Sequence, residues 1–137
     1  MENQGETTRV GGLVIVLLIY ACATLLHFSH NAVFLHEYPG MPAWLTPAGV
    51  CAAWLGLTAI GLAGYLLVRW SYRFAGLVVI AAYGALGFDS LAHYSLAPMS
   101  AHTLTMNLTI WLDAATAALV LAAVARLMAQ QLRERRI

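Results

Sequence analysis

VGGLVIVLLIYACATLLHFSHNAVFL, residues 10–35, contains no Lys, Arg, Asp or Glu and exceeds the roughly 20 apolar residues that a helix needs to cross a bilayer. Hydrocarbon offers no water to backbone N–H and C=O groups, so a run of this kind crosses as a helix that satisfies its own backbone. Three further runs of the same character follow, at about 48–68, 74–93 and 103–125. With 61% hydrophobic and 9% charged residues in a chain of 137, the composition is not that of a water-soluble domain. The sequence predicts an all-α integral membrane four-helix bundle forming one domain over residues 1–137.

The seven basic residues are all arginines, and their placement orients the spans. Arg9 precedes the first span, Arg69 and Arg73 lie between the second and third, and Arg126, Arg133, Arg135 and Arg136 follow the fourth. The two remaining loops, HEYPGMPAWLTP and YSLAPMSAH, hold neither Lys nor Arg. By the positive-inside rule both termini are cytoplasmic, the connection is up-down-up-down, and those two loops face outward from a bacterial-type plasma membrane. Tyr38, Trp44 and Tyr94 near the outer boundary, with Trp70 and Tyr72 near the inner one, fit an interfacial aromatic belt. Ala52/Gly56, Ala81/Ala85 and Ala114/Ala118/Ala122 are the small residues expected to let helices approach closely.

Several function classes drop out. A net charge of +1 and the lack of a Lys-rich tract exclude nucleic acid as a partner. Cys22 and Cys51 lie within spans without CxxC spacing, which argues against a disulfide or a zinc-thiolate site. The residues before the first span are acidic rather than basic and the apolar run is long, so this span is expected to be retained rather than cleaved as a signal.

Polar residues inside the spans carry what remains. Counted at about 1.5 Å per residue, His27 and His30 from Arg9, Asp89 and His93 from Arg73, and His102 and Met106 from Arg126 all lie roughly 24–36 Å from the inner anchors. Three helices thus bring polar groups to one depth near the outer boundary. Facing directions agree: His27, His30 and Asn31 share a patch, Asp89 and His93 are an i, i+4 pair, and His102, Met106, Thr109 and Asp113 form a stripe. Exposing these groups to lipid is costly, and turning them toward one another inside the bundle is the cheapest arrangement.

Imidazoles and a carboxylate converging from separate helices suit a first-row transition metal, the nitrogens as donors and the anion offsetting charge. The expected ligands are His27, His30, Asp89, His93 and His102, with Asn31, Met106 and Asp113 as possible additions. Thioethers of Met41, Met99 and Met106 tilt the choice toward copper ahead of zinc and iron. His36, beside Glu37 in a loop, is expected to be an ordinary surface histidine. Asp113, about midway along the fourth span, is either a proton-relay or ion-path residue beneath the metal or a neutral carboxyl bonded to a neighbouring span.

The pattern DSLAH followed by AH, carrying Asp89, His93 and His102, resembles the Asp-x3-His then His copper pattern in membrane helices of the C subunit of particulate methane monooxygenases. The resemblance spans Asp89 to His102 only, the second gap is shorter here, and the HxxHN of the first span has no counterpart. It makes copper chemically reasonable and implies no activity.

The expected function is therefore a membrane metal-binding protein, for metal handling or metal-dependent chemistry. Two alternatives stand beside it. One is a b-type haem cytochrome with histidines such as His30 and His93 on either side of the iron. The other is a non-catalytic accessory subunit, as a homo-oligomer or within a larger membrane complex, packing through small-residue faces. In the plainest reading the histidines hydrogen-bond to headgroups, water or backbone, or one pairs with Asp89 without any ion.

Overall fold

The computed structural model describes residues 2–134, with side chains from Gly11 onward; the side chain of Arg9, and Arg135 and Arg136 entirely, lie outside the described residues. Within that range the chain is all-helical. Four helical stretches are long and apolar enough to cross a membrane, Gly11–Val33, Pro47–Arg69, Arg73–Leu96 and Leu104–Glu134, and each contains an 18-residue window with mean hydropathy of 2.2, 1.8, 1.7 and 1.9 respectively. These are the properties of an integral membrane protein, and the exposed Ile15, Leu18, Leu26, Leu55, Leu62, Leu108 and Leu119 present its apolar surface to lipid.

Helix α1 covers Glu2–Val33, and a single 3₁₀ turn at Leu35–Glu37 follows it. Helix α2, Pro47–Arg69, starts where Thr46 Oγ1 accepts the Gly49 N–H at 3.1 Å and Pro47 occupies the first turn, both ordinary helix-start chemistry. The α2–α3 connection is tight and puts Ser71 at φ 71°. Helix α3, Arg73–Leu86, then gives way to a 3₁₀ segment at Gly87–Ala92 and a short helix α4 at His93–Leu96. After another 3₁₀ turn at Met99–Ala101, helix α5 runs from Leu104 to Glu134, well beyond the 103–125 span expected from hydropathy.

The four long elements pack in a ring: α1 on α5 and α2, α2 on α3, and α3 on α5. Leu13, Tyr20, Leu77, Ile80, Tyr83, Ala117, Val120 and Val124 form the apolar core toward the end that carries Arg69 and Arg126. The polar residues gather at the opposite end. Helix α2 is the most peripheral, with only Val50, Gly61 and Gly64 buried.

The expected small-residue contacts fall partly elsewhere. Ala114 is buried and Ala81 packs against the core, as expected, but Ala52, Gly56, Ala85, Ala118 and Ala122 are exposed, and a Cβ added at Gly56 would meet nothing within 4 Å. Close approach is made instead at Gly64 and Gly76, where a Cβ on Gly76 would come within 2.7 Å of the Gly64 carbonyl oxygen. The helices are apolar nearly all round, so hydropathy does not mark which small residues face a neighbour.

The change of pitch after Leu86 matters most for the polar end. A 3₁₀ segment turns 120° per residue, so every third residue eclipses the one before. Gly87, Ser90 and His93 are accordingly all buried in one row against α5, whereas Asp89 is exposed. The α-helical i, i+4 relation expected between Asp89 and His93 does not hold, because those four steps are not taken at the α-helical angle.

Candidate functional site

Three rows of side chains converge at the polar end of the bundle. From α1 come Thr24, His27 and Asn31, which continue at i+4, i+7 and i+11 the row begun by Tyr20 in the apolar core, and all four are buried. From the third span come Ser90 and His93, and from α5 and the turn before it come His102, Met106 and Asp113. Tyr38, in the connection after α1, closes over the group and is 3% exposed. It was expected at the interface with Trp44, which is indeed 79% exposed. Its phenol has partners inside, and an aromatic near a span end does not announce in sequence which way it turns.

The rings touch. His27 and His93 lie with centroids 5.4 Å apart at 78°, and His93 and His102 at 6.1 Å and 80°. Tyr38 stacks on His93 at 4.9 Å and reaches His102 at 6.4 Å. His30, half-buried on the flank of α1, is turned to Tyr38, its Nδ1 lying 2.8 Å from the phenol oxygen. Burial pushes the Tyr38 phenol above its ordinary value, against a smaller opposite effect of the Thr109 hydroxyl, so it stays protonated and can donate to His30.

The hydrogen bonds fix the nitrogens one by one. His102 Nδ1 is 3.1 Å from the Pro98 carbonyl, which only accepts; Nδ1 therefore carries the proton and Nε2 carries the lone pair. That Nε2 is buried and has no partner among the described residues. His93 Nε2 is 3.2 Å from the Asn31 amide, its Nδ1 is buried without a partner, and so is Asn31 Oδ1. Turning the Asn31 amide over lets Oδ1 accept from His93 Nε2–H, which satisfies the oxygen and leaves the lone pair on Nδ1. His27 Nδ1 faces Thr109 Oγ1 at 3.5 Å, and that hydroxyl donates to the Met106 carbonyl at 3.0 Å.

A cavity of about 240 Å³ adjoins the cluster. Its polar lining is His27, Asn31, Asp89, Ser90, His93 and Asp113, and its apolar wall includes Met41, Leu45 and Val50. Asp113 is 1% exposed, with Oδ1 buried and unpartnered. Asp89 reaches the same cavity from its exposed rim.

Of the five expected ligands, the structure brings His27, His93 and His102 together, turns His30 toward Tyr38, and leaves Asp89 at the cavity edge. Met106 is 1% exposed, but its Sδ accepts the Thr103 N–H at 3.4 Å, and Met99 is 46% exposed. His36 is exposed, in the 3₁₀ turn after α1. Among the described residues no group of three or more His, Cys, Asp or Glu side chains is arranged to hold a metal ion as it stands. Tyr38 and Ser90 are the members that sequence reasoning missed. Ser90 belongs to the site's frame, giving its hydroxyl to Gly87 O at 2.9 Å and to Ile110 O at 3.3 Å.

No protein-family model matches the chain, and neither a curated protein nor a solved structure matches it.

Proposed function

We propose that this protein binds one transition-metal ion at the histidine end of the bundle, on His27, His93 and His102, with copper favoured over zinc and iron, for metal handling or metal-dependent chemistry. The observation that supports this is the pair of buried, unpartnered ring nitrogens, His93 Nδ1 and His102 Nε2. The other nitrogen of each ring is held, by the Asn31 amide and by the Pro98 carbonyl. Metal-ligating histidines are oriented in this way, with the second nitrogen donating to a carbonyl or carboxylate.

His27, in ring contact with His93, supplies the third imidazole. Bringing three nitrogens to about 2.0–2.1 Å from one ion requires the rings to turn out of their edge-on contact. The adjoining cavity of about 240 Å³ gives them room. Asp89 at its rim offers the compensating negative charge, and Met41 in its wall offers the thioether that favours copper.

The same reading orients the chain up-down-up-down, with the histidine end extracytoplasmic and both termini in the cytoplasm of a bacterial-type plasma membrane. Its support is the arginine distribution.

A second reading has its own observation. The contacts of His30 with Tyr38 and of Asn31 with His93 join α1 to the connection after it and to the third span without any ion, which suits a polar network that fixes helix register. A b-type haem is less well supported, since the rings are already in contact and the cavity lies below the roughly 300–1,000 Å³ of drug-sized ligand pockets.

Elemental analysis of the purified protein, with an absorption spectrum, separates these. Stoichiometric copper, zinc or iron without a Soret band, lost in His93→Ala and His102→Ala and kept in His36→Ala, supports the metal site. A protein that takes up none of the three metals when offered them overturns it, and a Soret band replaces it with haem.

A further inference from the structure

The opposite end of the bundle holds a larger groove, and nothing in the metal reading uses it. Between α1 and α5 lies a space of about 510 Å³. It exists because Gly12 and Ala123 present almost no side chain there, and a Cβ on Gly12 would meet nothing within 4 Å. Leu13, Val16 and Leu127 make its floor apolar. Among the described residues its polar lining is Arg126 and Gln130.

These two are one turn apart on α5, and Arg133, a further three residues on, continues the same face. Arg126 and Arg133 are exposed. Gln130 has the reverse condition, with its Oε1 buried and lacking a hydrogen-bond donor among the described residues. Arg126 lies 22 residues after Leu104, where α5 begins, which is roughly 33 Å of helix and close to the thickness of a hydrocarbon core. The groove therefore opens at the membrane boundary opposite the histidines.

We infer that this groove is a binding site for a phospholipid whose headgroup carries both a phosphate and a hydrogen-bond donor. One acyl chain lies along the apolar floor, the phosphate meets the Arg126 guanidinium, and a headgroup hydroxyl or ammonium donates to Gln130 Oε1. Charge complementarity selects the phosphate, since guanidinium matches phosphate oxygens in a fork. The orphaned acceptor selects the donor. A glycerol headgroup meets both requirements and adds net negative charge near the arginines; choline has the phosphate without the donor.

The test uses the full chain in mild detergent supplemented with phosphatidylglycerol, phosphatidylethanolamine or phosphatidylcholine, with retained lipid counted by native mass spectrometry. Wild type is expected to keep one phosphatidylglycerol or, lacking its net charge, somewhat less phosphatidylethanolamine per chain, and to keep phosphatidylcholine at least about tenfold less well than phosphatidylglycerol, the scale of one charge-assisted contact. Arg126→Gln should bring phosphatidylglycerol down to the choline level, and Gly12→Leu, which fills the groove, should remove both. Arg133→Gln, beyond the groove, should change little; if it lowers retention as much as Arg126→Gln, the attraction is diffuse charge and the site is refuted. Equal retention of the three lipids, or full retention by Gly12→Leu with wild-type helicity, also overturns it. Ala123→Leu repeats the filling from the other helix should Gly12→Leu fail to fold.

Discussion

Replacing His102 with leucine distinguishes a metal ligand from a structural hydrogen-bonding residue, because the two roles give opposite signs in stability. His102 is 6% exposed, gives Nδ1–H to Pro98 O at 3.1 Å, and leaves Nε2 buried with no partner. Leucine removes one neutral hydrogen bond, worth about 1 kcal/mol net, and also removes the unsatisfied nitrogen, which costs about 1–3 kcal/mol. The Pro98 carbonyl is not stranded, because it still accepts the Ala101 N–H at 2.9 Å. The metal-free variant should therefore be as stable as wild type, or more stable by up to about 2 kcal/mol. Metal reverses the order: an ion at 100 times its Kd stabilises wild type by about 2.7 kcal/mol and leaves the variant unaffected. The assay is thermal unfolding in detergent followed by circular dichroism, once with chelator and once with copper. His102→Leu should melt at or above wild type in chelator and show no copper shift, while wild type rises by on the order of 10 °C. A variant that melts well below wild type in chelator, or that shifts with copper as wild type does, refutes the assignment. His93→Leu makes a useful contrast: it too removes an unpartnered nitrogen, Nδ1, but it strands the buried Asn31 amide, which offsets that gain, so its metal-free melting temperature should lie below that of His102→Leu.

Three other predictions concern the frame around the site. Burial raises the Tyr38 phenol above 10, so the folded chain holds the neutral form more firmly than the unfolded chain does; its contribution is intact below pH 10 and disappears as pH climbs through the folded value. Melting temperature above pH 10 should fall more steeply for wild type than for Tyr38→Phe, and parallel curves would count against a buried phenol. Gly87→Ala would set a Cβ against Tyr20 Oη and 2.7 Å from Ala117 Cβ; the expected cost is about 1–3 kcal/mol by overpacking, together with weakened metal binding as the row through Ser90 and His93 shifts. An unchanged melting temperature would mean the 3₁₀ row is not packed as described. Gly76→Ala should destabilise by a similar amount because backbone on α2 blocks it, whereas Gly56→Ala should be neutral or stabilising by up to about 1 kcal/mol; thermal melts of the pair check the α2–α3 contact.

Much of this architecture is written in hydropathy alone. A run such as residues 10–35 admits one solution in hydrocarbon, and four such runs give four long helices. Depth was legible too, because arginine anchors and a constant rise per residue put His27, His93 and His102 at one level before any packing was known. Direction was not. In a soluble helix the polar face marks the outside, but here both lipid and core are apolar, so Ala118 and Ala117 look alike in sequence while one is exposed and the other buried.

The site itself turned on one local event that periodicity does not announce. Read as an α-helix throughout, the third span makes Asp89 the partner of His93; with the pitch tightened over Gly87–Ala92, the row becomes Gly87, Ser90 and His93, and Asp89 moves to the rim. A glycine that lies against Tyr20 and Ala117, and a serine hydroxyl that reaches both Gly87 O and Ile110 O, give that tightening its physical basis. The consequence for chemistry is specific. A carboxylate in the imidazole row would give a closed ligand set, whereas with Asp89 at the cavity rim the imidazole row itself holds no carboxylate and Asp89 stands where an incoming cation would first meet it. In the proposed metal site the change of pitch would separate the group that attracts the ion from those that coordinate it, and that proposal depends on it.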